Sequence, residues 1–225
     1  MKNQASLLLL TLMSFSAYQC LAQQNINQQK NVTMSNTDIA SNQATLTLQE
    51  REYAVKLLNE TSAGVFEAVK NLSVSQLAFK PSAGKWSVEE CVKHIAAAEY
   101  NLWAMVEESL KKPANPAQRA GIKFTDQELV KAVEDRSHKS ETFTALQPAN
   151  TPYKTMADAL DSFKENRERL IGFVKSTQLD LRNHVSVLPI GTYDAYQFIL
   201  LISAHSNRHT QQIEEVKADA SFPKK

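Results

Sequence analysis

Phe198-Ile199-Leu200-Leu201-Ile202-Ser203-Ala204-His205-Ser206-Asn207-Arg208-His209-Thr210-Gln211-Gln212-Ile213 is the stretch on which the reading of this chain turns. Its inward positions run Phe198, Ile202, His205, His209, Ile213 and Val216, the spacing of one face of an α-helix. His205 and His209 therefore share a face and occupy places where a helix normally buries leucines. Two imidazoles in adjacent core positions cost desolvation unless something binds them. Histidines four apart are a natural two-armed ligand for one divalent ion, and a third ligand would have to come from another helix.

Upstream, the chain offers one. Ser87 followed by Glu90 is a capping box, with Trp86 placed to pack on the first turn. The helix it opens has the stripe Val88, Cys91, Val92, Ile95, Ala98, Leu102, Met105 and Val106 and ends near Lys112 and Pro113. His94 falls on that inward face. Thr47 with Glu50 opens an earlier helix, with the stripe Leu48, Val55, Leu58, Ser62, Val65, Phe66, Val69 and Leu72. Thr155 caps a later one carrying Met156, Ala159, Leu160, Phe163, Leu170, Ile171 and Val174, which stops near Thr177. Thr192 is read as the cap of the last helix. Thr125 with Glu128 starts a short helix in the connection from Pro113 to Thr155, with Leu129, Val130 and Val133 inward. Residues 183–191 read as a loop, and no convincing strand, phosphate-binding loop or internal repeat is found. Four long amphipathic helices predict an all-α four-helix bundle with a short extra helix in the crossover connection.

The ends read differently from the middle. Lys2 and the apolar run from Leu7 to Phe15 precede Cys20-Leu21-Ala22, which predicts a signal peptide over 1–22 cut after Ala22. The run is too short to span a bilayer as a mature helix. A lipoprotein anchored at Cys20 is the alternative. Residues 23–45 are rich in Gln, Asn, Ser and Thr and read as a disordered tether. The bundle is expected over 46–219, with a frayed tail at 220–225. Charge is balanced, with 25 Lys+Arg against 24 Asp+Glu in the 225 residues and no basic block. That excludes a nucleic-acid binder. Once Cys20 is removed or lipidated, Cys91 is alone and cannot form an intramolecular disulfide. An exported, periplasmic or secreted, protein follows, without stable membrane insertion.

Trp86-Ser87-Val88-Glu89-Glu90-Cys91-Val92-Lys93-His94, taken with His205, Arg208, His209, Gln212 and Ile213, resembles the DinB-like superfamily, also called DinB/YfiT-like metalloenzymes. Pro189-Ile190-Gly191 is similar to that family's loop before the last helix. The resemblance covers about 47–217. It implies a bundle of up-down-down-up order and one divalent metal, zinc or nickel, held by His94, His205 and His209. Members of the family include thiol-dependent transferases and proteins named as hydrolases, and most have no known activity. The thiol-using members work in the cytoplasm, whereas this chain carries an export signal.

Each candidate has a plainer reading beside it. The three histidines are either ligands or core residues satisfied by hydrogen bonds. Three neutral His ligands leave a tetrahedral ion one open position, as in catalytic zinc sites. Arg208 is either a clamp for an anionic substrate group or half of a surface ion pair. Gln212 is either a partner that orients His209 or a helix-end contact. Cys91 is a soft ligand, a reactive thiol or a small buried apolar residue. Glu90 is assigned to capping, Glu99 to solvent, and Tyr193 and Tyr196 to core and rim. Trp86 and Trp103 are assigned to packing. His138 is placed at the surface, and His184 in a loop away from the site. The expected function is a metal-dependent hydrolase or transferase acting on a small molecule. The alternative is a bundle that holds metal or a small ligand without turnover, for example in stress response. A purely structural bundle is the third class. A second copy of the chain is kept as a candidate partner.

Overall fold

Four capping boxes start helices where the sequence places them. Thr47, Ser87, Thr125 and Thr155 each accept the backbone N–H of the residue three on, whose own side chain reaches back. The computed structural model describes residues 45–138 and 142–224. The expected signal segment and the tether up to residue 44 lie outside the described residues.

The long helices are α1 (Leu48–Val69), α3 (Val88–Leu110), α5 (Met156–Ser176) and α6 (Ala195–Lys217). Between them come a single turn, α2 (Val74–Ala78), and the short crossover helix α4 (Asp126–Glu134). Both α1 and α3 pack on α5 and on α6, and α4 lies against α6. Directions follow from end-to-end contacts. Arg51, at the start of α1, donates to the carbonyls of Val174 and Thr177 at the end of α5, so these two run antiparallel. Lys217, at the end of α6, reaches the Ala68 carbonyl near the end of α1 at 3.0 Å, so these run parallel. Val88 shares an apolar cluster with Val216, which sets α3 antiparallel to α6. The order is up-down-down-up.

The core is in two parts. One end of the bundle is packed around Leu58, Trp103, Leu170, Ile199 and Leu200. The other is packed around Val65, Val88, Ile95, Phe163 and Ile213. Each large side chain buried there contributes roughly 1.5–3 kcal/mol relative to exposure. The face of α1 is turned from the expected one. Leu48 is 70% exposed, and Ala54, Leu58, Thr61, Val65 and Ala68 point inward. Met105 likewise faces out while Trp103 is buried.

A polar layer crosses the middle. Glu99, expected in solvent, is 2% exposed and takes two hydrogen bonds from Arg167, at 2.6 and 2.8 Å. A carboxylate five residues past an inward histidine looks solvated until an arginine on another helix is known to face it, and Arg167 lies inside an otherwise apolar stripe. Arg167 also donates to the Leu58 carbonyl (2.7 Å), Thr61 Oγ1 (2.7 Å) and Ser206 Oγ (2.9 Å). Its five N–H groups thus meet acceptors on the three other long helices.

The segment read as a loop over 183–191 is partly an antiparallel hairpin. β1 (Val185–Leu188) pairs with β2 (Gly191–Asp194) from Val185↔Asp194 to Leu188↔Gly191. Strands of four residues carry too little alternation to be read against the Pro189 and Gly191 turn signals. Gly191 is required there. Its φ is 140°, and the Tyr193 ring fills the space a Cβ would take. The hairpin moves the last helix start to Asp194, whose side chain accepts the Gln197 N–H at 2.7 Å, and leaves Thr192 in β2. Arg182 ties this end together by contacting Glu50, Asp126 and Asp194.

The C-terminal residues are held rather than frayed. Phe222 packs edge-on against Phe79 at 5.5 Å, and Gln76 donates to the Pro223 carbonyl at 2.9 Å. No helix among the described residues is long and apolar enough to cross a membrane.

Candidate metal centre

The capping box at Ser87 sets where α3 begins, and His94 then falls on its second turn, 1% exposed, facing α6. On α6, His205 and His209 sit one turn apart and meet it. The ring centroids of His94 and His209 are 4.3 Å apart, those of His205 and His209 4.5 Å, and those of His94 and His205 5.0 Å. One nitrogen of each ring lies within 4.8 Å of the others. Tetrahedral coordination at about 2.0–2.1 Å puts ligand nitrogens roughly 3.3 Å apart. His94 Nε2 and His205 Nε2 are already at 3.2 Å.

The outward nitrogens fix the inward ones. His94 Nδ1 lies 2.7 Å from the Leu146 carbonyl, which only accepts, so a neutral His94 carries its proton on Nδ1 and presents a lone pair at Nε2. His209 Nδ1 lies 2.9 Å from Gln212 Oε1, with the same consequence. Between His94 and His205, whose Nε2 atoms face each other, a shared proton then belongs to His205. The Nδ1–Oε1 contact joins Gln212 to His209 one turn apart on the same helix. The Leu146 carbonyl was not anticipated. It arrives from a 3-10 turn, Thr144–Leu146, in the crossover, and a backbone acceptor 52 positions away leaves no residue-type signal.

Burial keeps the rings neutral, the state in which imidazole binds metal. It lowers the pKa of His94 against the opposing pull of the Leu146 carbonyl. It lowers His205 to about 3, with help from His94 and Arg208. It takes His209 well below the usual histidine range, aided by His205 and His94. Trp86 closes one side. Its ring is 4.8 Å from His94 and is stacked at 5.8 Å and 21° on His209. A cleft of about 230 Å³ lies beyond, where Trp86 and Gln212 form a wall together with Lys85, Arg136, Glu215 and Asp219.

Other candidates are engaged elsewhere. Among the described residues Arg208 forms no ion pair, and its guanidinium is spent on backbone carbonyls rather than on a clamp. It donates to the carbonyls of Val133, Asp135 and His138, tying the end of α4 and the residues after it to α6. Those carbonyls are orphaned where a helix ends, and a guanidinium satisfies several at once. Asn207 and Gln211 bind Glu134 alongside it, and Arg136 pairs with Glu215 at 2.6 Å. Cys91 is fully buried and its thiol is pushed up to about 12, which makes it an inert packing residue. Glu90 serves the cap and pairs with Lys80. The Tyr193 and Tyr196 hydroxyls donate to the carbonyls of Ile190 and Glu50. His184 contacts the Ser109 carbonyl near the opposite end of the bundle, and the His138 side chain is exposed.

This geometry has relatives. The model of the DinB superfamily matches residues 57–213. The uncharacterized protein YuaE of Bacillus subtilis (strain 168) is 26% identical over 168 residues, which cover 72% of this chain and 96% of YuaE. The solved structure of YfiT from Bacillus subtilis, described as "a probable metal-dependent hydrolase with an unusual four-helix bundle topology", matches with a TM-score of 0.54 at 18% identity. That match covers 80% of this chain and 92% of YfiT, and it shows a shared fold. A match of the family model over most of the bundle, carried by an up-down-down-up arrangement, places this chain in the DinB superfamily.

Proposed function

We propose that His94, His205 and His209 hold one divalent ion, zinc or nickel, and that the chain is a metal-dependent hydrolase or group transferase acting on a small molecule. One observation carries this reading: three neutral imidazoles converge within 4.8 Å, and two of them have their Nδ1 protons fixed outward by carbonyl oxygens. Three protein nitrogens leave a tetrahedral ion one position for water or substrate. When bound, the ion would polarise a substrate oxygen or acidify a water molecule. The Leu146 carbonyl and Gln212 hold the rings in the ligating tautomer and raise their basicity. Trp86 covers the face toward the cleft.

The second reading, metal or ligand binding without turnover, is favoured by the carboxylates. Glu90, Glu99 and Glu215, the acids of the neighbouring turns, are committed to a cap, to Arg167 and to Arg136. An activity screen separates the two. Tag-free protein loaded with zinc or nickel is assayed on ester, amide and thiol-transfer substrates beside His209→Ala. Turnover lost in the variant supports the enzyme; turnover that persists removes the catalytic assignment. Export is part of the same proposal. A mature mass beginning at Gln23 supports it, and a lipidated Cys20 replaces the cleaved form by an anchored one.

A further inference from the structure

We propose that the Glu99–Arg167 layer is the register lock of the histidine cluster, and that Glu99, Arg167 and Ser206 are positioning residues for its arms. The inference rests on the reading of the three histidines as metal ligands. Ser206 lies between His205 and His209 in sequence and faces the bundle axis. Its hydroxyl accepts from Arg167 at 2.9 Å and donates back to the Ile202 carbonyl at 3.3 Å. One turn earlier, Ser203 meets Thr61 Oγ1 at 2.9 Å, and Thr61 in turn accepts from Arg167. Arg167 is held from the other side by both oxygens of Glu99, on the same helix as His94 and just over one turn beyond it. The guanidinium is therefore a bridge between the helix that carries one metal arm and the helix that carries two.

Part of the packing at this level is made by small side chains: Ala96, Ala97 and Ala98 on α3 and Ala204 on α6 are all buried. Where Gly64 of α1 faces α6, even an added Cβ would meet only the Thr210 methyl, at 3.8 Å. Such surfaces pack almost equally well after a slide along the axis, whereas a fork of five N–H donors has one fully satisfied arrangement. A site of this kind tolerates misplacement of only about 0.5 Å. His94 Nε2 and His205 Nε2, at 3.2 Å, sit on the two helices that the fork joins. Buried ion pairs of this kind add little net stability, and setting register is the best supported use for them. Arg167 also lies over the Phe163 ring at 4.9 Å, which limits where its fork can point.

The test compares zinc affinity with thermal stability. The double variant Glu99→Leu/Arg167→Met removes both charges together and leaves neither buried alone. It is expected to melt at or above the wild-type temperature by circular dichroism, while its zinc affinity falls by about tenfold or more, in the range that misplacing oriented ligands produces. Zinc affinity within twofold of wild type overturns the proposal. If the double variant aggregates, Ser206→Ala carries the test. It is expected to lose affinity several-fold while remaining folded, and Ser206→Thr, which restores the hydroxyl, to recover it; unchanged affinity in Ser206→Ala overturns the proposal. Wild-type protein that takes up no zinc would sink the metal reading instead. The register claim is then judged on a crystal structure of the double variant, or of Ser206→Ala if the double variant aggregates. An axial shift of His205 against His94 sustains it, and an unchanged 3.2 Å approach refutes it.

Discussion

Two polar clusters interrupt the apolar interior side by side along α6, and they are completed in opposite ways. In the Glu99–Arg167 layer every guanidinium N–H has an acceptor and both carboxylate oxygens are taken, so the cluster is closed within the protein. In the histidine cluster the outward nitrogens of His94 and His209 are satisfied, while the inward nitrogens face one another. A closed cluster serves the fold, because its groups have no bonding capacity left for a ligand. The free lone pairs at Nε2 of His94 and His209, with His205 able to give up its shared proton, are the bonding capacity the proposed ion would use. The two share α6: Ser206, which accepts from Arg167, directly follows His205 in sequence.

The largest effect is expected where the closed cluster is opened. Arg167→Met alone leaves Glu99 buried without its partner and should cost about 3–5 kcal/mol of unfolding free energy in urea titrations. A variant of wild-type stability would show that the layer is not closed by Arg167. Next comes Arg208, which stands among the histidines in sequence but serves the frame. Arg208→Ala strips donors from the carbonyls of Val133, Asp135 and His138 and should cost about 1.5–3 kcal/mol. On any substrate that the activity screen identifies, KM should not change; a rise in KM with unaltered stability would return Arg208 to the role of clamp. Gln212→Ala should do the reverse. Metal affinity measured against a chromophoric chelator should fall about 10–100-fold, with the urea midpoint nearly unchanged.

The last effect is the pH dependence of the metal-free protein. All three histidines have folded pKa values below the usual 6.5. Below 6.5 the unfolded chain takes up protons that the folded chain refuses, so this contribution to stability is complete above 6.5 and shrinks as pH falls. For His205 the loss continues down to about pH 3. Urea midpoints should therefore drop between pH 7.5 and 5, and drop less steeply in His209→Ala. Identical slopes for the two proteins would mean that His209 is not held neutral by burial.

Much of the frame was legible because it depends on local chemistry. Ser87 with Glu90, or Thr47 with Glu50, specifies a helix start by residue type and spacing alone. His94, His205 and His209 stood out because imidazoles replaced aliphatic residues in a periodic stripe. What stayed hidden depends on partners distant in sequence. Glu99 looks solvated until Arg167 is brought to it from 68 positions away. Arg208 looks available until the end of α4 is laid beside it. Asp194 displaces Thr192 as the helix cap because a hairpin with almost no strand signal runs into α6. Trp86 was legible as a packing residue, but what it packs on, the faces of two histidines, is a tertiary fact.

The central claim is that the converging imidazoles bind one ion. Tag-free protein, stripped with a chelator and titrated with zinc and then nickel in a calorimeter, measures this directly. Wild type should take up one ion per chain, and His94→Ala, with its fold checked by circular dichroism, should take up none. A wild-type protein that binds no ion, or a His94→Ala variant that binds as tightly as wild type, would contradict it.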